Sequence, residues 1–394
     1  MKLKNNMTVC FSDKGSKLGM TNRKALSKIK SEMITKGISI IDFDYGESGI
    51  KPHLSTAKIV KKTIDKGLYP YPSSFGKNEL RKKLAIINNT SINNIIISSG
   101  VKYQFKMIAD ILFNPKDQVI VVSPNWLTYR DLLEFGDVGV CNYFLDKNFS
   151  LNINNLKEYI STLLRPKAII FSNPNNPTGK VFSNNEIIGI IKVAKLFSLT
   201  IISDEVFSDL VFNNEPRKSI RQLQEANDYI NNIIVLSSAS KNYGMTSFRV
   251  GYIVANPTIV EKCSSYMLMT MRSVPEFIQD AYLNELNQPN HHNMWIGRLK
   301  KRYYSIVQSI KSSNNLRLKI SGGGITIFPE IKTPKKEFDQ NKFATSLLKN
   351  KYVAISKGSV FNYPFNIRLT FTHLDIVSAK KGVKIIDEHL NWYI

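Results

Sequence analysis

The chain predicts an α/β fold with a mostly parallel central sheet covered by helices on both faces. Two observations lead there. Short apolar runs, Gln118–Val122, Ala168–Phe171, Leu199–Ser203 and Ile233–Leu236, recur along the middle of the sequence, and each stops where a polar or turn-forming motif begins. Helical patterns such as Asn185–Phe197 lie between them, as a sheet buried on both faces requires. In open α/β sheets ligands gather at the carboxyl ends of the strands, so Trp126, Asn176, Asp204 and Lys241 are expected in one crevice despite their separation in sequence.

With 394 residues, 43% of them hydrophobic, the chain can bury a substantial core, and its length suits two or three domains. The start, Met1–Met7, has no apolar stretch of signal-peptide length, and no run approaches 18 apolar residues. A soluble, cytoplasmic protein is expected. Cys10, Cys141 and Cys263 are odd in number, far apart and without a Cys-x-x-Cys or histidine cluster, which points away from disulfides and metal sites. A formal charge of +23 would attract polyanions, yet the basic residues are spread in pairs such as Lys61-Lys62 and Lys300-Lys301, with no basic arm. A solvated basic surface is the simpler reading.

The chemistry concentrates in three motifs. Asn173-Pro174-Asn175-Asn176-Pro177-Thr178-Gly179 is a rigid turn, Ser203-Asp204-Glu205 follows an apolar run, and Ser238-Ala239-Ser240-Lys241 is followed eight residues later by Arg249. An amine at Lys241 suits Schiff-base chemistry with an aldehyde cofactor, with hydroxyls and a guanidinium to hold a phosphate. In this order and spacing the motifs resemble those of class I/II aminotransferases, the fold-type I group of pyridoxal-phosphate (PLP) enzymes. The likeness runs from about Asp42 to Arg368.

That resemblance implies a large PLP-binding domain over residues 46–284 and a smaller α+β domain, residues 1–45 with 285–394, closing over the active site. It implies Lys241 as the PLP-bearing lysine and Asp204 as the carboxylate that keeps the pyridine nitrogen protonated. Asn176 matches the asparagine that donates to the cofactor's O3′, and Trp126 the aromatic that stacks on its ring. Ser238, Ser240 and Arg249 match the phosphate-binding set. Gly100-Val101-Lys102 resembles the glycine-rich turn that also meets the phosphate, although Val101 stands where a second glycine is usual. Tyr71, five residues before Gly76, matches a tyrosine that reaches the phosphate of the neighbouring subunit, with Tyr69 as the fallback, so a homodimer with shared sites is implied. Arg368 matches the arginine that grips the substrate α-carboxylate. Gly46 matches the glycine before a G-E-P, although Ser48 replaces the proline. No metal is implied.

Two departures bear on the reaction. Phe207 stands where the family has a tyrosine donating to O3′, and Ser321-Gly322-Gly323-Gly324-Ile325 lacks the aromatic of a pocket-lining loop, so a wider pocket is expected. The leading expectation is amino transfer between an amino acid and a 2-oxo acid. A PLP-dependent C–S β-lyase, cyclase or oxygen-using oxidase on the same scaffold is the alternative, because one fold hosts many reactions. A nucleic-acid-binding regulator with a degenerate aminotransferase fold is the second, opposed by the retained Lys241 and by a resemblance that starts near residue 42. The sequence names neither amino donor nor acceptor.

Overall fold

A computed structural model describes residues 10–16, 18, 24–67, 69–213, 218–319, 322–334 and 337–393. The described residues up to Ser39 form one compact unit, and those from Ile40 onward form another. In the first, the helix Lys24–Thr35 ends at Gly37, whose positive φ lets the Ile38 N–H return to the Met33 carbonyl.

The second unit is built on a seven-stranded sheet. Its spatial order is Ile95–Ser98, Gly251–Val254, Ile233–Ser238, Thr200–Asp204, Pro166–Ser172, Gln118–Ser123 and Gly139–Phe144. Pairing is parallel everywhere except on the two sides of Gly251–Val254, so that strand alone runs against the rest. Its inversion matters because Ser238 pairs with Gly251, so the chain entering that strand sits at the edge where the parallel strands end. Arg249 is thereby delivered to the rim that receives Lys241.

The continuous apolar runs of the inner strands reflect burial on both faces. Ile120, Val122, Ile169, Phe171, Ile201 and Val235 pack into one core, and Val119, Val121, Ile170, Ile202, Ile234 and Leu236 into the other. Each anticipated strand is present within one or two residues, and the anticipated helix spans Asn184–Leu196. That helix begins with a capping box in which Ser183 and Glu186 satisfy each other's backbone N–H groups.

A separate antiparallel sheet of three short strands lies later in the chain, ordered Thr326–Ile327, Ile367–Thr370, Ser356–Lys357. Arg368 therefore sits on a middle strand. Ile41–Asp42 pairs in parallel with Val353–Ala354, which brings the segment carrying Asp44 and Gly46 beside this sheet.

Candidate active site

One cavity of about 430 Å³ collects the predicted residues: Gly46, Val101, Lys102, Trp126, Asn176, Asp204, Phe207, Ser238, Ser240, Lys241, Arg249 and Arg368 all line it. Tyr71 does not. It is 77% exposed, with the Arg272 guanidinium 4.2 Å above its ring, whereas Tyr69 is tied to the Ile64 carbonyl.

Asp204 ends its strand and is buried, so water cannot solvate its charge. Burial raises its pKa to about 6, against the pull of a hydrogen bond from the Tyr129 hydroxyl at 2.5 Å and one from the Val206 N–H at 3.0 Å. Tyr129 is a site residue that the sequence did not disclose. It is fully buried, edge-on to Trp126 and Phe105, and its phenol is pushed well above its usual pKa by burial and then by the Asp204 charge. The only sequence signal was its place one helical turn after Trp126. Glu205 points elsewhere, accepting from the Ser203 hydroxyl and the Ile220 N–H, as a packing and polar-contact role requires.

Lys241 follows a strand into the short helix Ala239–Asn242. Its Nζ donates to the Gly46 carbonyl at 2.5 Å and lies 3.9 Å from Glu47, whose carboxylate accepts from the Thr246 hydroxyl at 2.6 Å. Burial lowers the Lys241 pKa, Arg249 and Arg368 lower it further, and Glu47 opposes them. Gly46 thus meets the lysine through its carbonyl, and a Cβ there would have open space.

The end of the cavity beside Arg249 is assembled from two loops and a helix start. The Ser238 hydroxyl is spanned between the Ser240 hydroxyl and the Val250 carbonyl, which fixes both serines. Gly100 has φ +68, a conformation that favours glycine, and it lies where the Arg249 guanidinium crosses the start of the helix Gly100–Leu112. Backbone N–H groups at a helix start favour an anion, and here a guanidinium lies beside them. Lys102 extends over Trp126, 5.7 Å from its ring.

Asn176 is aimed by its neighbour. Asn175 donates to the Pro124 carbonyl and accepts from both the N–H and hydroxyl of Thr178, joining the turn to the loop that carries Trp126. Asn176 Oδ1 is left buried without a hydrogen-bond partner. Phe207 is buried in the cavity wall, against the loop 322–325, where Gly322, Gly323 and Gly324 are stitched by backbone hydrogen bonds to Gly179, Leu210 and Phe212. Ser321 lies outside the described residues. The same loop brings Ile325 and Thr326 to the cavity, where the sequence had shown only a missing aromatic.

On the opposite wall, Arg368 donates to the Ser356 hydroxyl at 2.7 Å, and Ser356 in turn donates to Asp44, which lies 3.7 Å from the guanidinium. This pre-orients the fork. Among the described residues there is no cluster of metal-binding side chains, and no helix is long and apolar enough to cross a membrane.

The cavity brings together a buried carboxylate, a lysine whose pKa burial lowers, and an arginine beside a helix start. Residues 40–386 match the family model for aminotransferase class I and II, and the chain belongs to that family of PLP-dependent transaminases. An aspartate aminotransferase of Sulfolobus acidocaldarius is 29% identical over 371 residues, covering 90% of this chain and 91% of the relative. One of Thermotoga maritima has a solved structure that superposes with a TM-score of 0.86 at 25% identity, covering 97% of this chain and all of that one. A Thermus thermophilus aspartate aminotransferase mutant, 19% identical, shares the fold with a TM-score of 0.87.

Proposed function

We propose that the cavity transfers an amino group from an amino acid to a 2-oxo acid, with PLP held by Lys241. The observation that carries this reading is the convergence of Lys241, Asp204, Asn176, Trp126, Ser238 and Arg249 on one cavity. The residues fit the cofactor: Asn176 lines the cavity with an amide whose N–H groups can donate to the cofactor's O3′, and Gly100, at φ +68, brings the start of its helix close to the Arg249 guanidinium. When bound, PLP supplies a ring that withdraws the electrons left on the substrate's α-carbon. Asp204, whose carboxyl burial raises to about 6, would be stabilised as a carboxylate by a cationic ring nitrogen. Lys241, whose pKa burial lowers, is the group at the cavity that accepts and returns a proton at Nζ. Arg368 binds the α-carboxylate, with Gly46 beside it, and Val101, Lys102, Ser238, Ser240 and Arg249 hold the phosphate end.

Relatives named aspartate aminotransferases favour aspartate as the amino donor, although the four lining cations, Lys102, Lys241, Arg249 and Arg368, are all taken by the cofactor and the α-carboxylate in this reading. Exposed Tyr71 supports a homodimer in which it serves the partner's phosphate. Residues 46–284 would then form the cofactor-binding domain, with 1–45 and 285–394 the smaller domain. Three free thiols suit the cytoplasm. Phe207 supports a second reading, elimination, cyclisation or oxidation, because no phenol lines the cavity among the described residues.

Borohydride treatment of the PLP-loaded protein is expected to fix a pyridoxyl group on Lys241, and a panel of amino acids with and without 2-oxo acids should yield exchanged amino groups. Label on another lysine would remove the assignment. Ammonia release with no amino acid formed would select the second reading.

A further inference from the structure

The three-stranded sheet turns a polar row toward the cavity. Thr326 and Thr370 face each other across antiparallel strands, and Arg368 and Ser356 form the next such pair. Facing residues project from the same side of a sheet, and so do residues two apart on one strand, which puts all four side chains on one face. The alternate residues, Ile327, Ile367 and Leu369, are fully buried on the other.

The two pairs differ in their hydrogen bonds. Arg368 and Ser356 are engaged with each other and with Asp44. Thr326 and Thr370 line the cavity at 2% and 0% exposure, and neither hydroxyl has a hydrogen-bond partner. A buried hydroxyl without a partner is uncommon and costly, and two side by side in the wall of a reaction cavity point to a ligand that completes them.

We infer that the Thr326–Thr370 hydroxyl pair is a specificity-determining subsite for a substrate side chain that ends in a carbonyl or carboxylate oxygen. This rests on the reading of Arg368 as the α-carboxylate anchor. Thr370 lies two residues further along the same strand, about 7 Å from Arg368 at the usual rise. A short amino acid held by Arg368 therefore carries its side chain along the polar row. Each hydroxyl can donate to a terminal oxygen, so the pair serves a carboxylate or a carboxamide and offers nothing to an alkyl group. A site that hydrogen-bonds a polar group discriminates strongly against analogues lacking it.

The test uses Thr326→Val, Thr370→Val and the hydroxyl-keeping Thr326→Ser in PLP-loaded protein. The amino-acid half-reaction is followed with aspartate, asparagine and 2-aminobutyrate, no acceptor being present. Each valine variant should lower the preference for aspartate or asparagine over 2-aminobutyrate about tenfold, as one lost hydrogen bond to a charged or buried oxygen predicts, and Thr326→Ser should retain it. Selective loss for aspartate alone assigns the oxygen to a carboxylate, and loss for asparagine alone assigns it to a carboxamide. In parallel, calorimetry should show succinate binding weakened by the valine variants and butyrate binding unaffected in relative terms. Thermal unfolding without ligand should not drop, since valine removes an uncommitted hydroxyl at constant shape. An equal change for all three amino acids, or an unaltered succinate-to-butyrate ratio, would overturn the inference. If the unaltered protein turns over none of the amino acids, the aminotransferase substrate reading fails, and the succinate and butyrate titrations still decide the hydroxyl pair.

Discussion

The two walls of the cavity are built on opposite plans. On the central-sheet side, single residues arrive from separate strand ends, and most are locked by protein partners: Asp204 by Tyr129 and Val206, Ser238 by Ser240 and Val250, Arg249 by the Thr246 carbonyl. On the small-sheet side one face supplies Arg368, Thr370, Thr326 and Ser356 together, and two of its hydroxyls are uncommitted. A permanent cofactor rewards a wall fixed in advance, because every group can be preorganised for one partner. A wall that meets changing substrates keeps its hydrogen-bonding capacity in reserve.

Substitutions test this contrast, and the largest effect belongs to the locked wall. Asp204→Asn should lower turnover about 10²–10³-fold, as loss of a preorganised charge does. Its stability signature has the opposite sign. In cofactor-free protein the folded carboxyl titrates at about 6 against 3.8 in its ordinary state. That preference for the protonated form stabilises the fold below pH 4 and is lost as pH rises through 6, by ~3 kcal/mol at most. Asparagine does not titrate, so the variant's melting temperature should overtake that of the unaltered protein between pH 4 and 7. Parallel melting curves would show that Asp204 is not held protonated by burial.

Arg368→Lys keeps the charge and loses the planar fork, so KM for the amino acid should rise about 10–100-fold while PLP absorbance is retained. Unchanged kinetics would move the α-carboxylate to another part of the wall. Tyr129→Phe removes one charge-assisted hydrogen bond from Asp204 without touching the cavity lining. Its carboxyl should rise above 6, and PLP should bind about tenfold more weakly with a matching loss of turnover. Equal affinity would mean that Val206 alone suffices to position Asp204.

Phe207→Tyr carries the smallest effect and adds a partner to the locked wall. A phenol there would join Asn176 in stabilising the cofactor's O3′, shifting the pH titration of the long-wavelength absorbance down by about one unit. Transamination should be preserved or improved. If the native reaction is elimination, cyclisation or oxidation, that output should fall. Identical titrations in the two proteins would show that residue 207 faces away from O3′.

Sequence alone determined the class of fold and nearly all of the locked wall. Runs such as Ile233–Leu236 must be buried on both faces, and a residue placed just beyond such a run reaches the strand-end rim whatever else the chain does, so Asp204, Asn176 and Lys241 were legible from position and type. Tyr71, placed with the phosphate set only by resemblance, does not line the cavity. Tyr129, Glu47 and the Thr326–Thr370 pair were decided by tertiary structure. Tyr129, in the first turn of the helix Thr128–Phe135, meets Asp204, at the end of its strand, across 75 residues, with Asn175 binding Pro124 nearby. Glu47 meets Lys241 because Ile41–Asp42 pairs with Val353–Ala354 and sets the course of the segment between. Thr326 and Thr370 become one hydroxyl pair through antiparallel register alone. A shift of either strand by one residue would send its threonine into the apolar core and break the pair, since side chains alternate between the faces of a strand.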